Sequence, residues 1–336
     1  MKFGLHLFGH HDKSNSAVRN FETVIDQVET ARESGFDLVW MGHHYLVPDD
    51  HKFQVVPTLA RIAANAGDMH LGTSFLLPLH HPIVVAEQFA TLDAITGGRI
   101  ILAPVMGYRD VEFDSLDVDK SDRLGRLIEG VQVIKRLWTD DEVSFDGRMF
   151  QFENATIEPK PVQDPRPPIW IGGNRDKAIK RAGKLGDVWI ANPHEDEPTI
   201  ARQVEIAGQP EGDGYHGVLP ARRDVFVAET DEEALEIYGP QIKEFYDWYS
   251  KEGQAEAMEN PDALDQRLED LREERFIIGS PETVTDRLVN LYENVGIDCV
   301  LMGMHRPGIP HEDVVRSIEL TGEEVIPAVR DRIDTS

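Results

Sequence analysis

The sequence predicts a closed barrel of eight parallel strands, each followed by a helix, and three observations lead there. Short apolar runs alternate with stretches of helical periodicity eight times along the chain. Most of those runs are continuous rather than alternating, as expected for parallel strands covered on both faces. The residues that follow the runs are rich in histidine, glycine and aromatics, which suits a barrel whose functional groups gather at the C-terminal strand ends. At 336 residues the chain could hold one barrel or two ordinary domains. The unbroken β-α order favours a single domain over 1–336.

The expected strands are residues 3–8, 37–41, 70–75, 99–104, 168–172, 187–191, 224–228 and 298–303. Helices are expected at 17–33, 55–65, 82–95, 121–138, 175–184, 232–251, 281–294 and 310–332. Some carry their own punctuation: Ser280-Pro281-Glu282 joins an N-cap to a first-turn proline, and 294–296 ends in a glycine stop. Two features interrupt the regular order between the fourth and fifth strands. Residues 142–157 read as a β-hairpin around Asp146-Gly147, and a proline-rich stretch follows at 159–168. The polar segment 208–223 and the charged segment 251–275 are candidate lids or loops.

Composition narrows the partners. With 61 acidic against 34 basic residues the formal charge is −27, a field that repels nucleic-acid phosphates and anionic lipid. Arginine outnumbers lysine, twenty-three to eleven, and acids cluster at 195–197 and 231–233. This pattern fits a salt-adapted protein, because at molar salt the Debye length falls to about 3 Å and self-repulsion is suppressed. No apolar run approaches a membrane span, and the N-terminus runs straight into a strand without an apolar leader, so a cytoplasmic location is expected. Cys299, the one cysteine, lies inside an apolar strand and reads as a buried small residue.

The strand ends carry the candidate chemistry: Gly42-His43-His44-Tyr45 after strand two, Thr73-Ser74-Phe75 at strand three, Met106-Gly107-Tyr108-Arg109 after strand four, Gly172-Gly173-Asn174-Arg175 after strand five, and Asn192-Pro193-His194 after strand six. Apolar and aromatic groups mixed with a few imidazoles suit a flat organic cofactor. Gly172-Gly173-Asn174 permits close backbone approach, the helix that follows offers free N–H groups, and Arg175 adds a positive charge, so phosphate fits there. The pairs His10-His11, His43-His44 and His80-His81 invite a metal reading, which the absence of an early His-x-His after strand one argues against.

These motifs resemble the luciferase-like flavin monooxygenase superfamily. The likeness runs in register through 36–45, Leu71-Gly72-Thr73, His81-Pro82 with Glu87, Gly107-Tyr108-Arg109 with Glu112-Phe113, 169–173, 186–189 and Gly279-Ser280-Pro281-Glu282, and it covers essentially the whole chain. It implies reduced FMN across the barrel mouth, reacting with molecular oxygen and a small organic substrate. The cofactor contacts it implies are Ser74, Phe75, Met106, Gly107, Tyr108, Gly172, Gly173, Asn174 and Arg175, with the phosphate at the last four. His44 takes the catalytic position by resemblance, where an imidazole can give or accept a proton. His43 departs from the acid that many relatives carry. The resemblance also implies a non-proline cis peptide before Phe75, a homodimer through the helices near strands two and three, and a flavin reductase as supplier. Two alternatives stay open: a deazaflavin-dependent hydride-transfer enzyme on the same fold, and a flavin-binding protein without turnover.

Overall fold

A computed structural model of the protein describes residues 1–251, 258 and 275–335. Its strands are β1 (Lys2–Leu7), β2 (His10–Asp12), β3 (Leu38–Gly42), β4 (Asp50–Lys52), β5 (His70–Phe75), β6 (Ile100–Pro104), β7 (Val143–Asp146), β8 (Gln151–Ala155), β9 (Trp170–Gly172), β10 (Val188–Ile190), β11 (Pro220–Val227), β12 (Phe276–Gly279) and β13 (Cys299–Gly303). A parallel sheet runs in the order β12-β11-β13-β1-β3-β5-β6, and β9 pairs with β10. Bridges Leu102↔Ile169 and Ala191↔Ala221 join these two pieces into a ring. The eight segments expected from sequence thus form one closed barrel. β12 is a ninth strand, added to the outer end of β11 through Asp224↔Phe276 to Val227↔Gly279.

Alternation along the strands sorts side chains into two cores. Inside the barrel lie Leu38, Trp40, Ile101, Ala103, Trp170, Val188, Cys299 and Leu301. Trp40 and Trp170 stack there with ring centroids 4.9 Å apart. Gly72 makes that stack possible, since a Cβ on it would come within 2.3 Å of the Trp40 ring. Emptying such a site, as in Trp40→Ala, costs about 3–5 kcal/mol. The second core, between strands and helices, holds Phe3, Leu5, Val39, Leu71, Phe75, Phe89, Leu102 and Phe226.

Helix ends follow the local signals. Ser280 caps the helix Pro281–Asn290 by accepting from Thr283 N, and Gly296 takes φ 85° at the end of the one-turn continuation. Gly97, at φ 66°, closes α3 (Pro82–Thr96). The hairpin of β7 and β8 forms as expected. It lies against the outside of α5 (Arg123–Thr139), whose Glu129 accepts from the backbone N of Arg148, Met149 and Phe150 in its turn.

Two expectations change. Residues 220–223 belong to β11, so the seventh strand starts four residues before the expected 224. The rest of the 208–223 segment is no lid: it follows α7 (Glu197–Ala207) and precedes β11, which puts it at the N-terminal end of the barrel, away from the strand ends that carry the chemistry. Tyr215 plugs the barrel floor there, with its carbonyl accepting from Trp170 Nε1 at 2.8 Å and its hydroxyl donating to the Asp37 carbonyl at 3.3 Å. The other candidate lid, 251–275, lies outside the described residues except at its two ends and Met258. No described helix is long and apolar enough to cross a membrane.

Candidate active site

A cavity of about 570 Å³ opens at the C-terminal ends of the barrel strands. Of the site residues expected from sequence, His44, Ser74, Met106, Gly107, Tyr108, Gly172, Gly173, Asn174 and Arg175 all line it. Phe75 does not. Adjacent residues of a strand face opposite ways, and Ser74 takes the inward position, its Oγ accepting from Trp40 Nε1 at 3.1 Å. Phe75 therefore points outward, fully buried against Phe89 and His80. The cis peptide expected before Phe75 is absent. The cis bonds of the described chain are Glu158–Pro159 and Asp164–Pro165, and a trans link keeps Ser74↔Ala103 and Phe75↔Pro104 in continuous register.

His44 sits just past β3, its side chain 14% exposed. Its Nδ1 lies 3.1 Å from Glu112 Oε1 and its Nε2 3.5 Å from the Tyr108 hydroxyl. Glu112, on α4 (Asp110–Ser115), is wholly buried and also accepts from the Tyr45 backbone N at 2.8 Å. Arg109, 3.6 Å from Glu112, donates to the Tyr45 carbonyl and braces the same loop. A carboxyl oxygen that accepts from Tyr45 accepts from His44 too, which puts the imidazole N–H on Nδ1 and leaves the Nε2 lone pair facing Tyr108 and the cavity. Burial lowers the His44 pKa, while the Glu112 hydrogen bond and charge oppose that shift.

His43 is held differently. It is 4% exposed, its Nδ1 accepts from Leu76 N at 3.4 Å and its Nε2 lies 3.3 Å from Gln54 Oε1. Both ring nitrogens are used by the protein, and burial pushes its pKa down to about 3. Its contacts brace the loop after β3 against the end of β5 and Gln54.

Across the mouth, β9 runs through Gly172-Gly173-Asn174-Arg175 into α6 (Asp176–Leu185). A Cβ on Gly173 would stand 2.9 Å from the Ala178 carbonyl carbon, so only glycine lets the turn close on the helix. Trp189 Nε1 fixes the Gly173 carbonyl at 2.9 Å and Gln203 Nε2 fixes that of Asn174 at 2.9 Å. The carbonyls are thereby tied down on the protein side. The N-terminal end of α6, through Ala178, and the exposed Arg175 border the cavity, a combination of groups able to take a phosphate.

Asn192 and His194, named from sequence among the strand-end groups, and His10, weighed there only as part of a histidine pair, also line the cavity. The structure adds His6, Lys52 and Arg222, which the sequence did not single out, and Glu112 stands behind His44. Glu112 belonged to a recognised motif, but nothing in the sequence paired it with a histidine 68 positions away. His6, a polar residue within the apolar run of β1, was the one local signal. Among the described residues no three His, Cys, Asp or Glu side chains converge to hold a metal ion.

The family model described as luciferase-like monooxygenase matches residues 1–299. The chain belongs to that family. Among its luciferase-like relatives, the FMNH(2)-dependent dimethylsulfone monooxygenase of Pseudomonas putida is 27% identical over 266 residues, 74% of this chain and 71% of that protein. The F420-dependent glucose-6-phosphate dehydrogenase of Nakamurella multipartita is 28% identical over 327 residues, 91% of this chain and 92% of that one. The crystal structure of monooxygenase RslO1 from Streptomyces bottropensis superposes with a TM-score of 0.84 at 23% identity, covering 97% of this chain and 99% of that one, a likeness of fold. The relatives thus span flavin monooxygenases and F420-dependent oxidoreductases. The luciferase-like cavity fits a flavin-type group on its own geometry: the Gly173 cradle for the phosphate, and an apolar floor of Trp40, Leu76 and Leu301 for a planar ring.

Proposed function

We propose that this protein is a reduced-FMN-dependent monooxygenase acting on a small organic substrate. The observation that supports the reading is that one cavity of flavin size is lined by His44, which pairs with Glu112, and by the Gly172–Arg175 turn. Bound reduced FMN would supply the electrons for oxygen chemistry. Gly172, Gly173, Asn174 and Arg175 would hold its phosphate, and Ser74, Met106, Gly107 and Tyr108 would border its ring. His44, with its lone pair directed into the cavity, takes or returns the proton that accompanies electron transfer.

The second reading keeps the site and replaces FMN by a deazaflavin that exchanges hydride without oxygen. Full-length similarity to an F420-dependent dehydrogenase favours it. A flavin-binding protein without turnover is disfavoured by the built His44–Glu112–Tyr108 arrangement. Anaerobic titration with reduced FMN and with the reduced deazaflavin F420, followed by fluorescence, tests the choice. Tight FMN binding with weak F420 binding supports the first reading, and the reverse order replaces it by the second.

The same proposal places the protein in the cytoplasm of a salt-adapted cell, supplied by a separate flavin reductase. It also includes a homodimer through α2 (Val55–Ile62) and α3, where Val84 and Ile95 are about half exposed.

A further inference from the structure

The cavity wall reverses the charge of the molecule around it. The chain has 61 acidic and 34 basic residues. Yet the charged residues among the described ones that line the cavity are Lys52, Arg123, Arg175 and Arg222, and none is Asp or Glu.

The cations fall into two groups. Arg175 belongs to the turn after β9, and Arg123 lines the cavity from the neighbouring β6 side, donating to the Gly107 carbonyl at 3.2 Å. Lys52 and Arg222 converge on the other side, around the segment that leaves β1. Lys52 Nζ donates to the Phe8 carbonyl, and the Arg222 guanidinium lies 4.3 Å over the Phe8 ring. In the ring of strands β13, β1, β3, β5, β6, β9, β10, β11, the strands β1 and β9 are diametrically placed, so the two groups face each other across the mouth.

Carboxyls do approach the Lys52 side, but from behind. Asp50 meets His10 Nδ1 at 3.0 Å, Glu112 meets His44, and Asp224 Oδ1 accepts from Arg222 at 2.6 Å and from Arg306. Each orients a cation or imidazole whose other side faces the cavity. His6 lines the cavity on the same side, at 7% exposure.

We propose that Lys52 and Arg222, with His6 and His10, bind an anionic group of the substrate, so that this protein acts on small organic oxyanions, carboxylates or sulfonates. A planar guanidinium, and an amine whose pKa burial lowers to about 7 and which a bound anion would hold protonated, recognise such groups through charge-assisted hydrogen bonds. This rests on the flavin reading only in that the opposite cationic group is left to the cofactor phosphate.

Calorimetric titration of the FMN-loaded protein with hexanoate, hexane-1-sulfonate, hexan-1-ol and hexylammonium tests it. At least one of the two anions is expected to bind about tenfold or more tightly than the alcohol, the difference that a hydrogen bond to a charged group makes, and the ammonium more weakly than either. Lys52→Met removes that preference while FMN affinity stays within about twofold. Arg222→Lys, which keeps the buried charge but not the fork, weakens the anion in the same way if the methionine variant fails to fold. Anions that bind no better than the alcohol, or not measurably, overturn the proposal. So does a Lys52→Met variant that loses FMN instead, because the group would then serve the flavin. The anion titration is repeated on flavin-free protein. Anion preference there with no FMN binding leaves this proposal standing and removes the flavin reading.

Discussion

Glu112→Gln tests the link between the buried carboxyl and the histidine that faces the cavity. The substitution is nearly isosteric at a wholly buried position, and the amide oxygen can still accept from Tyr45 N, now at 2.8 Å. What disappears is the charged partner of His44 Nδ1 at 3.1 Å. A hydrogen bond to a charged group is worth about 1.5–3 kcal/mol and a neutral one about 0.5–1.5. The difference of about 1–2 kcal/mol corresponds to a fall in kcat of about five- to thirtyfold if His44 moves a proton in the rate-limiting step. Glu112 also holds the His44 pKa up against burial, so its loss shifts the acid limb of the pH–rate profile to lower pH. The assay is steady-state turnover with an FMN reductase system across pH 5 to 9, with a melting curve for each variant. Unchanged kcat and an unchanged acid limb in a folded variant would refute the coupling and reduce Glu112 to a brace for Tyr45 and Arg109.

Gly173→Ala sets a Cβ 2.9 Å from the Ala178 backbone. The turn must open, at a cost of about 1–3 kcal/mol in stability, and FMN affinity is expected to fall about tenfold or more as the phosphate amides shift; unchanged affinity would move the phosphate seat elsewhere. Acidification is expected to destabilise the fold. Burial holds the pKa of His43 down to about 3 and that of His11 to about 4, so below about pH 6.5 the unfolded chain binds more protons than the native one. Stability is complete above that pH and falls as pH drops towards 4, each of these two imidazoles taking up to about 1.4 kcal/mol per pH unit. A Tm that holds steady between pH 7 and 5 would contradict this. Raising KCl from about 0.1 M to 1 M shortens the Debye length from about 10 Å to 3 Å. With a charge of −27 the Tm is expected to rise by several degrees, and a flat or falling Tm would count against salt adaptation.

The strand order, most of the helices and their caps were legible because each depends on a few neighbouring residues. Apolar runs such as that of β6 declare a buried parallel strand, and Ser280-Pro281 declares a helix start. The Gly172–Arg175 turn could be read for the same reason, since its chemistry is local backbone chemistry. His44 was reached by resemblance. β12 was not legible because its four residues, Phe276–Gly279, are too few to show a period beside the charged segment that precedes them.

What sequence alone determined, then, was the eight β-α units of the barrel and which strand ends carry polar groups. Tertiary structure decided which of two adjacent residues faces the cavity. Ser74 and Phe75 are equal candidates in the chain, and only barrel closure turns one inward and the other into the wall. It also decided the company each group keeps. Glu112 beside His44, and Lys52 and Arg222 gathered around Phe8, are contacts between residues 68, 44 and 214 positions apart in the chain. Local periodicity carries no information about such pairs, because they are set by the strand register and curvature that close the barrel.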